Sequence, residues 1–86
     1  MHPIEHATIK DITLPLFDAQ TVDGVHYEFY ADPHKQTKGG IIRTVDVDSG
    51  CVIQMIHYPA YPIAKRNYSE AVAVTLACDV RRGCVS

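Results

Sequence analysis

The sequence predicts an α+β fold: an antiparallel sheet of about four strands, arranged as two hairpins, with one C-terminal helix packed on a face. Asp23-Gly24 lies between alternating side chains, and this dipeptide is the strongest short-range signal for a two-residue hairpin because both turn positions need φ > 0. Asp48-Ser49-Gly50 suits a three-residue hairpin that ends on a left-handed glycine. Capping residues flank the segment 68–82, which indicates a helix. With 86 residues the chain is expected to form a single domain.

The first hairpin is expected to bury one face. A two-residue turn at Asp23-Gly24 places Leu16, Asp18, Gln20 and Val22 opposite Ala31, Phe29, Tyr27 and Val25, a set that is largely apolar. The opposite face carries His26, Glu28 and Tyr30, and we expect it to meet water. Pro15 should confine its strand to a sheet edge or a strand end. Residues 1–8 are either a frayed arm or a short edge strand.

The second hairpin follows a loop over residues 31–40 that is rich in turn-forming residues. The turn at residues 48–50 places Ile41, Arg43, Val45 and Val47 opposite His57, Met55, Ile53 and Cys51. This face is the better core candidate, and Cys51 is expected to be buried within it as an inert thiol.

The C-terminal segment is ambiguous between a helix and a strand. Residues 71–78 alternate small and large side chains, which favours a strand. The ends of the segment favour a helix from about 68 to 82: Asn67 can act as N-cap, Glu70 completes a capping box, Arg81-Arg82 suits the C-terminus and Gly83 can terminate it. We predict the helix and keep the strand as the alternative.

Composition limits the function classes. The formal charge of −2 at pH 7 argues against a nucleic-acid binder that acts through bulk electrostatics. No apolar stretch reaches membrane-spanning length, and the three cysteines show no repeated spacing, so we expect a cytoplasmic protein with reduced thiols and no membrane contact. The small chain is 47% hydrophobic and contains no tryptophan. An uncovered apolar patch is therefore expected, and self-association as a homo-oligomer is the usual way to cover one.

No pattern in the sequence predicts a metal ion or a cofactor. The five histidines lack a metal-ligand spacing, and Asp46–His57 fails the calcium-loop pattern because Cys51 stands where glycine is required and His57 where glutamate is. Gly39-Gly40 lacks the P-loop signature and leads into a strand. We predict neither a metal site nor a cofactor.

The richest group of recognition-type side chains follows the second hairpin. It consists of His57, Tyr58, Tyr61, Lys65 and Arg66. Tyrosines on a proline-stiffened turn beside cations suit a ligand or protein surface, although they suit packing of a strand-to-helix corner equally well. We add His26 and Tyr30 to this candidate ligand-binding site.

Three functions remain open at this stage, of which the third is a weak nucleic-acid binder that uses the basic residues Lys65, Arg66, Arg81 and Arg82. The first is a non-enzymatic binding or accessory module that acts as a homo-oligomer and uses this tyrosine and basic surface for a small molecule or a protein. The alternative is a small acid–base enzyme with a histidine and tyrosine site at a subunit interface. The enzyme would require a pocket in which these groups converge.

Overall fold

The fold is α+β, as predicted. The structure, a computed structural model, describes the backbone of residues 5–85 and the side chains of residues 5–75. In this part of the chain five antiparallel strands form one curled sheet in sequence order, followed by a helix. The strands are β1 (His6–Ile9), β2 (Ile12–Val22), β3 (Val25–Tyr30), β4 (Gly40–Asp46) and β5 (Val52–Tyr58), and the helix is α1 (Tyr61–Val85). A short 3₁₀ segment, Pro33–Lys38, joins β3 to β4.

The first predicted turn is confirmed. Asp23 has φ 51° and Gly24 has φ 76°, the left-handed pair that a two-residue hairpin of this kind requires. The predicted register holds from the Val22–Val25 pair to the Asp18–Phe29 pair. A bulge then shifts the pairing, so that Leu16 lies opposite Tyr30 rather than Ala31.

Residues near the N-terminus form the fifth strand. β1 pairs with residues 12–15 of β2 as a short edge strand, one of the two alternatives for this segment. β2 therefore lies inside the sheet, so the prediction that Pro15 confines its strand to a sheet edge or a strand end is wrong: Pro15 is the fourth of the 11 residues of β2 and pairs with His6. The Pro15 carbonyl accepts from the Ala31 N–H at 3.0 Å, one residue beyond the end of β3. Pro15 lies one residue before the bulge between Leu16 and Asp18, and bulges are among the places where sheets accommodate proline.

The helix prediction is confirmed, and the strand alternative is wrong, but the boundaries differ. α1 begins at Tyr61 rather than near 68, and it runs to Val85 with Gly83 inside it. Pro62 occupies the first turn, where its missing N–H costs nothing. Asn67 is not the N-cap: its side-chain amide donates to the Ile63 carbonyl at 2.8 Å, one turn earlier.

Side chains of α1 cover one face of the sheet. The buried helix positions Tyr61, Ala64, Tyr68 and Val72 follow helical periodicity and pack on Tyr27, Phe29, Ala31 and Ile42. The predicted core face of the first hairpin is thus the face that α1 covers. In β4 the covered residue is Ile42, not the predicted Ile41.

A second core lies on the other face of the sheet and corrects one prediction. Tyr30 and Ile41 pack there against Ala7 and Leu14, because the curled sheet brings the β1–β2 hairpin over this face. The prediction that this face meets water is wrong: Tyr30 and Glu28 are both 0% exposed. β4 is consequently buried on both faces.

The predicted core face of the second hairpin is wrong in β5. Met55 is 36% exposed, because β5 is an edge strand. Ile53 is 59% exposed at a register shift, where Val45 lies opposite Val52 rather than the predicted Ile53. Cys51 is likewise exposed rather than buried, since it lies in a loop that is longer than predicted, between Asp46 and Val52. Gly50 has φ 73°, so its left-handed conformation is confirmed.

Candidate functional site

An open groove of about 530 Å³ runs between α1 and β5, on the helix-covered face of the sheet. We call it the β5 groove. The residues that line it come from four elements: Val25, Tyr27, Ile42, Thr44, Ile53, Gln54, Ile56, Tyr58, Asn67, Glu70, Ala71, Val74 and Thr75. Its size is in the range of small-molecule sites, and its lining combines an apolar surface with a few polar groups, as such sites do.

The β5 groove is lined mainly by apolar side chains, and its polar groups include the hydroxyls of Tyr27 and Thr75 and the carboxylate of Glu70. Tyr27 crosses from β3 to the helix, where its hydroxyl lies 2.5 Å from Thr75 Oγ1. Thr75 Oγ1 also donates to the Ala71 carbonyl at 3.1 Å. Among the described residues that line the groove, Glu70 is the one with a formal charge. The groove is therefore suited to a neutral or cationic ligand with a substantial apolar part.

Tyr68 joins α1 to β3 and β2 beside the groove. The Tyr68 ring stacks on Phe29, with centroids 5.2 Å apart and planes 17° from parallel. Its hydroxyl donates to Asp18 of β2 at 3.0 Å. Burial, followed by this hydrogen bond, raises the pKa of Tyr68 well above its ordinary value. At the groove itself, Ile53 and Val74 are 59% and 62% exposed.

A buried polar cluster lies on the opposite face of the sheet. Glu28 is 0% exposed, and its Oε1 accepts from Arg43 Nη1 at 2.7 Å and from the Tyr30 hydroxyl. Burial and then the Glu28 hydrogen bond raise the pKa of Tyr30, and hydrogen bonding to Glu28 raises the pKa of Arg43. The carboxylate is thus held by one cation and one hydroxyl, the arrangement that a buried charge needs.

The other side of Glu28 faces His26. Glu28 Oε2 lies 3.0 Å from His26 Nε2, but the angles are not those of a hydrogen bond, and neither atom has another partner. His26 Nδ1 lies 2.7 Å from Thr21 Oγ1. His26 is 8% exposed and the Arg43 side chain is 17% exposed, so these two residues lie at the border of the cluster while Glu28 and Tyr30 are fully covered.

The structure divides the seven predicted site residues among several places. His26 and Tyr30 belong to the buried cluster, and Tyr61 is 9% exposed in the core, with its ring centroid 6.2 Å from that of Phe29. Tyr58 lines the β5 groove. His57 lies on the other face of β5, where its Nε2 is 2.9 Å from the Lys38 carbonyl.

Lys65 and Arg66 are exposed on α1, and neither is among the residues that line the β5 groove. The helix flank toward the groove carries Asn67, Glu70 and Val74, spaced by three and four residues. Sequence reasoning did not select these three residues. Their common flank is visible in the sequence once the helix start is known, but the strand beside that flank is not.

No known protein family, no curated protein and no solved structure matches the chain. The described part of the chain contains no helix that is both long and apolar enough to span a membrane. Among residues whose side chains are described, no group of three or more His, Cys, Asp or Glu could hold a metal ion.

Proposed function

We propose that this protein is a non-enzymatic binding module that acts as a homo-oligomer and binds its ligand in the β5 groove. The observation that carries the proposal is the groove itself, a volume of about 530 Å³ beside an uncovered edge strand. Tyr58 is the member of the sequence-predicted site that takes part. The ligand class is a neutral or cationic molecule with an apolar body, because Glu70 is the charged group that it meets.

The apolar side chains around the groove support this proposal. Ile53 and Val74 lie on its two sides and expose more than half of their surface. Exposed apolar side chains that stand singly need no explanation, but two that flank one concave surface mark an interaction site. A ligand that covers them removes apolar surface from water at about 25 cal/mol per Å².

The acid–base enzyme receives less support from the geometry. The acid, the histidine and the tyrosine that do come together are Glu28, His26 and Tyr30, and their exposed fractions are 0%, 8% and 0%. A reacting group must lie within hydrogen-bond reach of its substrate. Burial of all three therefore favours a structural role for this cluster.

A neutral environment-sensitive dye, N-phenyl-1-naphthylamine, tests the proposal. We expect saturable fluorescence enhancement that Ile53→Asp or Val74→Asp reduces at least fivefold, since either places a carboxylate beside the apolar ligand. Val47→Asp is the matched control: Val47 is 37% exposed and does not line the groove. Equal dye binding by all three variants and the parent protein would show that the groove is not the site.

A further inference from the structure

We propose that β5 is the self-association surface of this protein: the β5 strands of two copies pair antiparallel about a two-fold axis and join the two sheets into one. The two β5 grooves then adjoin across the axis and form a common site. This inference rests on the homo-oligomer that the proposed function includes, and it names the surface through which two copies associate.

The two edges of the described sheet differ in a way that favours β5. β1 at one edge has four residues, whereas β5 at the other has seven. An edge strand presents unpaired N–H and C=O groups, and proteins usually protect it with charged side chains or proline. The β5 sequence, VIQMIHY, contains neither Asp, Glu, Lys, Arg nor Pro. It exposes Ile53 and Met55 instead.

The regular part of β5 determines the register of the pairing. The β4–β5 ladder shifts near Ile53, so residues 54–58 form the regular segment, with Ile56 at its centre. In a two-fold pairing centred there, each Ile56 lies opposite its own copy. Gln54 then lies opposite Tyr58, and Met55 lies opposite His57.

Charge and chemistry are compatible in this register. A strand that pairs with itself opposes like charges whenever it carries charged residues near the axis, and such pairs are destabilising. The segment 54–58 has His57 as its one titratable side chain apart from Tyr58, and the partner residue opposite His57 is the uncharged Met55. The side-chain amide of Gln54 in one copy lies opposite the hydroxyl of Tyr58 in the other, and the two can form a hydrogen bond.

The pairing also completes the β5 groove. Gln54, Ile56 and Tyr58 line the groove from β5, which is its outer strand. A second copy continues this surface across the axis through the same three positions. The groove that is open in one copy thereby gains a far side, which is supplied by the helix of the partner.

The area of the pairing sets the expected affinity. Five paired residues span about 17 Å, and such a strand contact alone is smaller than the roughly 1,200–2,000 Å² that stable interfaces bury. Interfaces below that range are typical of weak association. We therefore expect a dimer that dissociates on dilution.

Sedimentation velocity over a range of concentrations measures the association. We expect a species of about 19 kDa, twice the 9.6 kDa chain, that dissociates on dilution. Met55→Lys should raise the dimer Kd at least tenfold, because it places a charge on the pairing edge. Ile63→Lys is the control: Ile63 is 44% exposed on α1 and does not line the groove. Circular dichroism establishes that both variants are folded.

Disulfide trapping tests the register in a background in which Cys51, Cys78 and Cys84 are changed to Ser. Ile56→Cys should form a covalent dimer under mild oxidation, since Cα atoms of opposed residues lie about 4.5–5.5 Å apart, within disulfide range. Ser69→Cys, exposed on the helix, is the control. Should Ile56→Cys fail to fold, a mixture of Met55→Cys and His57→Cys proteins should cross-link more than either alone.

Two results would overturn the inference, and only one of them would also overturn the proposed homo-oligomer. A dimer that Met55→Lys leaves unchanged, with no selective trapping at Ile56, places the interface elsewhere and leaves the homo-oligomer intact. A monomer at every concentration removes the interface and the homo-oligomer together. Dye binding in the groove is measured independently and can survive either result.

Discussion

Arg43→Met tests whether the buried Glu28 carboxylate depends on its cation. Glu28 is 0% exposed, and the Arg43 guanidinium donates to it at 2.7 Å. Methionine keeps much of the aliphatic volume of arginine and removes the charge. Loss of one member of a buried ion pair costs about 3–5 kcal/mol, because the remaining charge is left uncompensated. A domain of this length has a total stability of only about 4–13 kcal/mol, so the effect should be large.

Urea unfolding followed by circular dichroism measures this effect. We expect the midpoint to fall steeply, with the slope unchanged. Arg66→Met is the matched control, because Arg66 is exposed and its loss should change stability by about 0.5 kcal/mol or less. A parent-like midpoint for Arg43→Met would refute the enclosure of Glu28 that the structure shows.

The double variant Arg43→Met with Glu28→Leu separates charge from packing. It removes both charges, and replacement of a buried pair by apolar residues is often neutral or stabilising. We expect it to recover part of the stability that the single variant loses, because Glu28→Leu also leaves the buried Tyr30 hydroxyl without its acceptor. If it were less stable than Arg43→Met, an uncompensated carboxylate would not be the main cause of the loss.

Three further predictions concern the turns and the tyrosines. Gly39→Ala should lower the free energy of unfolding more than Gly24→Ala does, as measured by urea unfolding. Both glycines have positive φ, but a Cβ at Gly39 would overlap a backbone carbonyl. At Gly24 nothing lies within 4 Å, so only the backbone strain remains and a loss of about 1 kcal/mol is expected. The pKa of Tyr68 is raised in the folded protein, so its contribution to stability is complete below the ordinary tyrosine pKa of 10 and is lost as the pH rises beyond it. In an absorbance titration, the Tyr68→Phe variant should lack one phenol that ionises late in the parent protein. Ser49 donates to Asp46 and lowers its pKa below 3.8, so Ser49→Ala should move that pKa upward in a carboxyl NMR titration, and no upward movement would contradict the hydrogen bonds.

Local sequence patterns were sufficient to predict the strands, a turn and the helix, but not which elements pack beside one another. The Asp23-Gly24 turn and the register beside it follow from φ preferences and a period of two, and both are confirmed. The helix was identified from its ends, yet its start was placed seven residues late because Asn67 resembles an N-cap. Burial of Tyr61 and Ala64 against the sheet decides the true start, and that burial is a tertiary effect.

The candidate site also contains some residues that the sequence predicted and others that only the tertiary structure identifies. Tyr58 was chosen from the sequence and lines the β5 groove, whereas Glu70 and Val74 were not chosen. Their role depends on which strand lies beside the helix flank that carries them. Tyr61 was chosen for recognition chemistry, but the same aromatic surface that suits a ligand also suits a core, and here it packs on Phe29.

By itself, the sequence determined the Asp23-Gly24 hairpin, the helical C-terminal segment and the absence of formal charge along β5, since each depends on residues close together in the chain. Only the tertiary structure decided that Glu28 meets Arg43 inside the sheet, that β4 is covered on both faces and that β5 remains an edge. These features depend on the order of strands and the curl of the sheet. Contacts between distant residues determine both, and no local pattern encodes them.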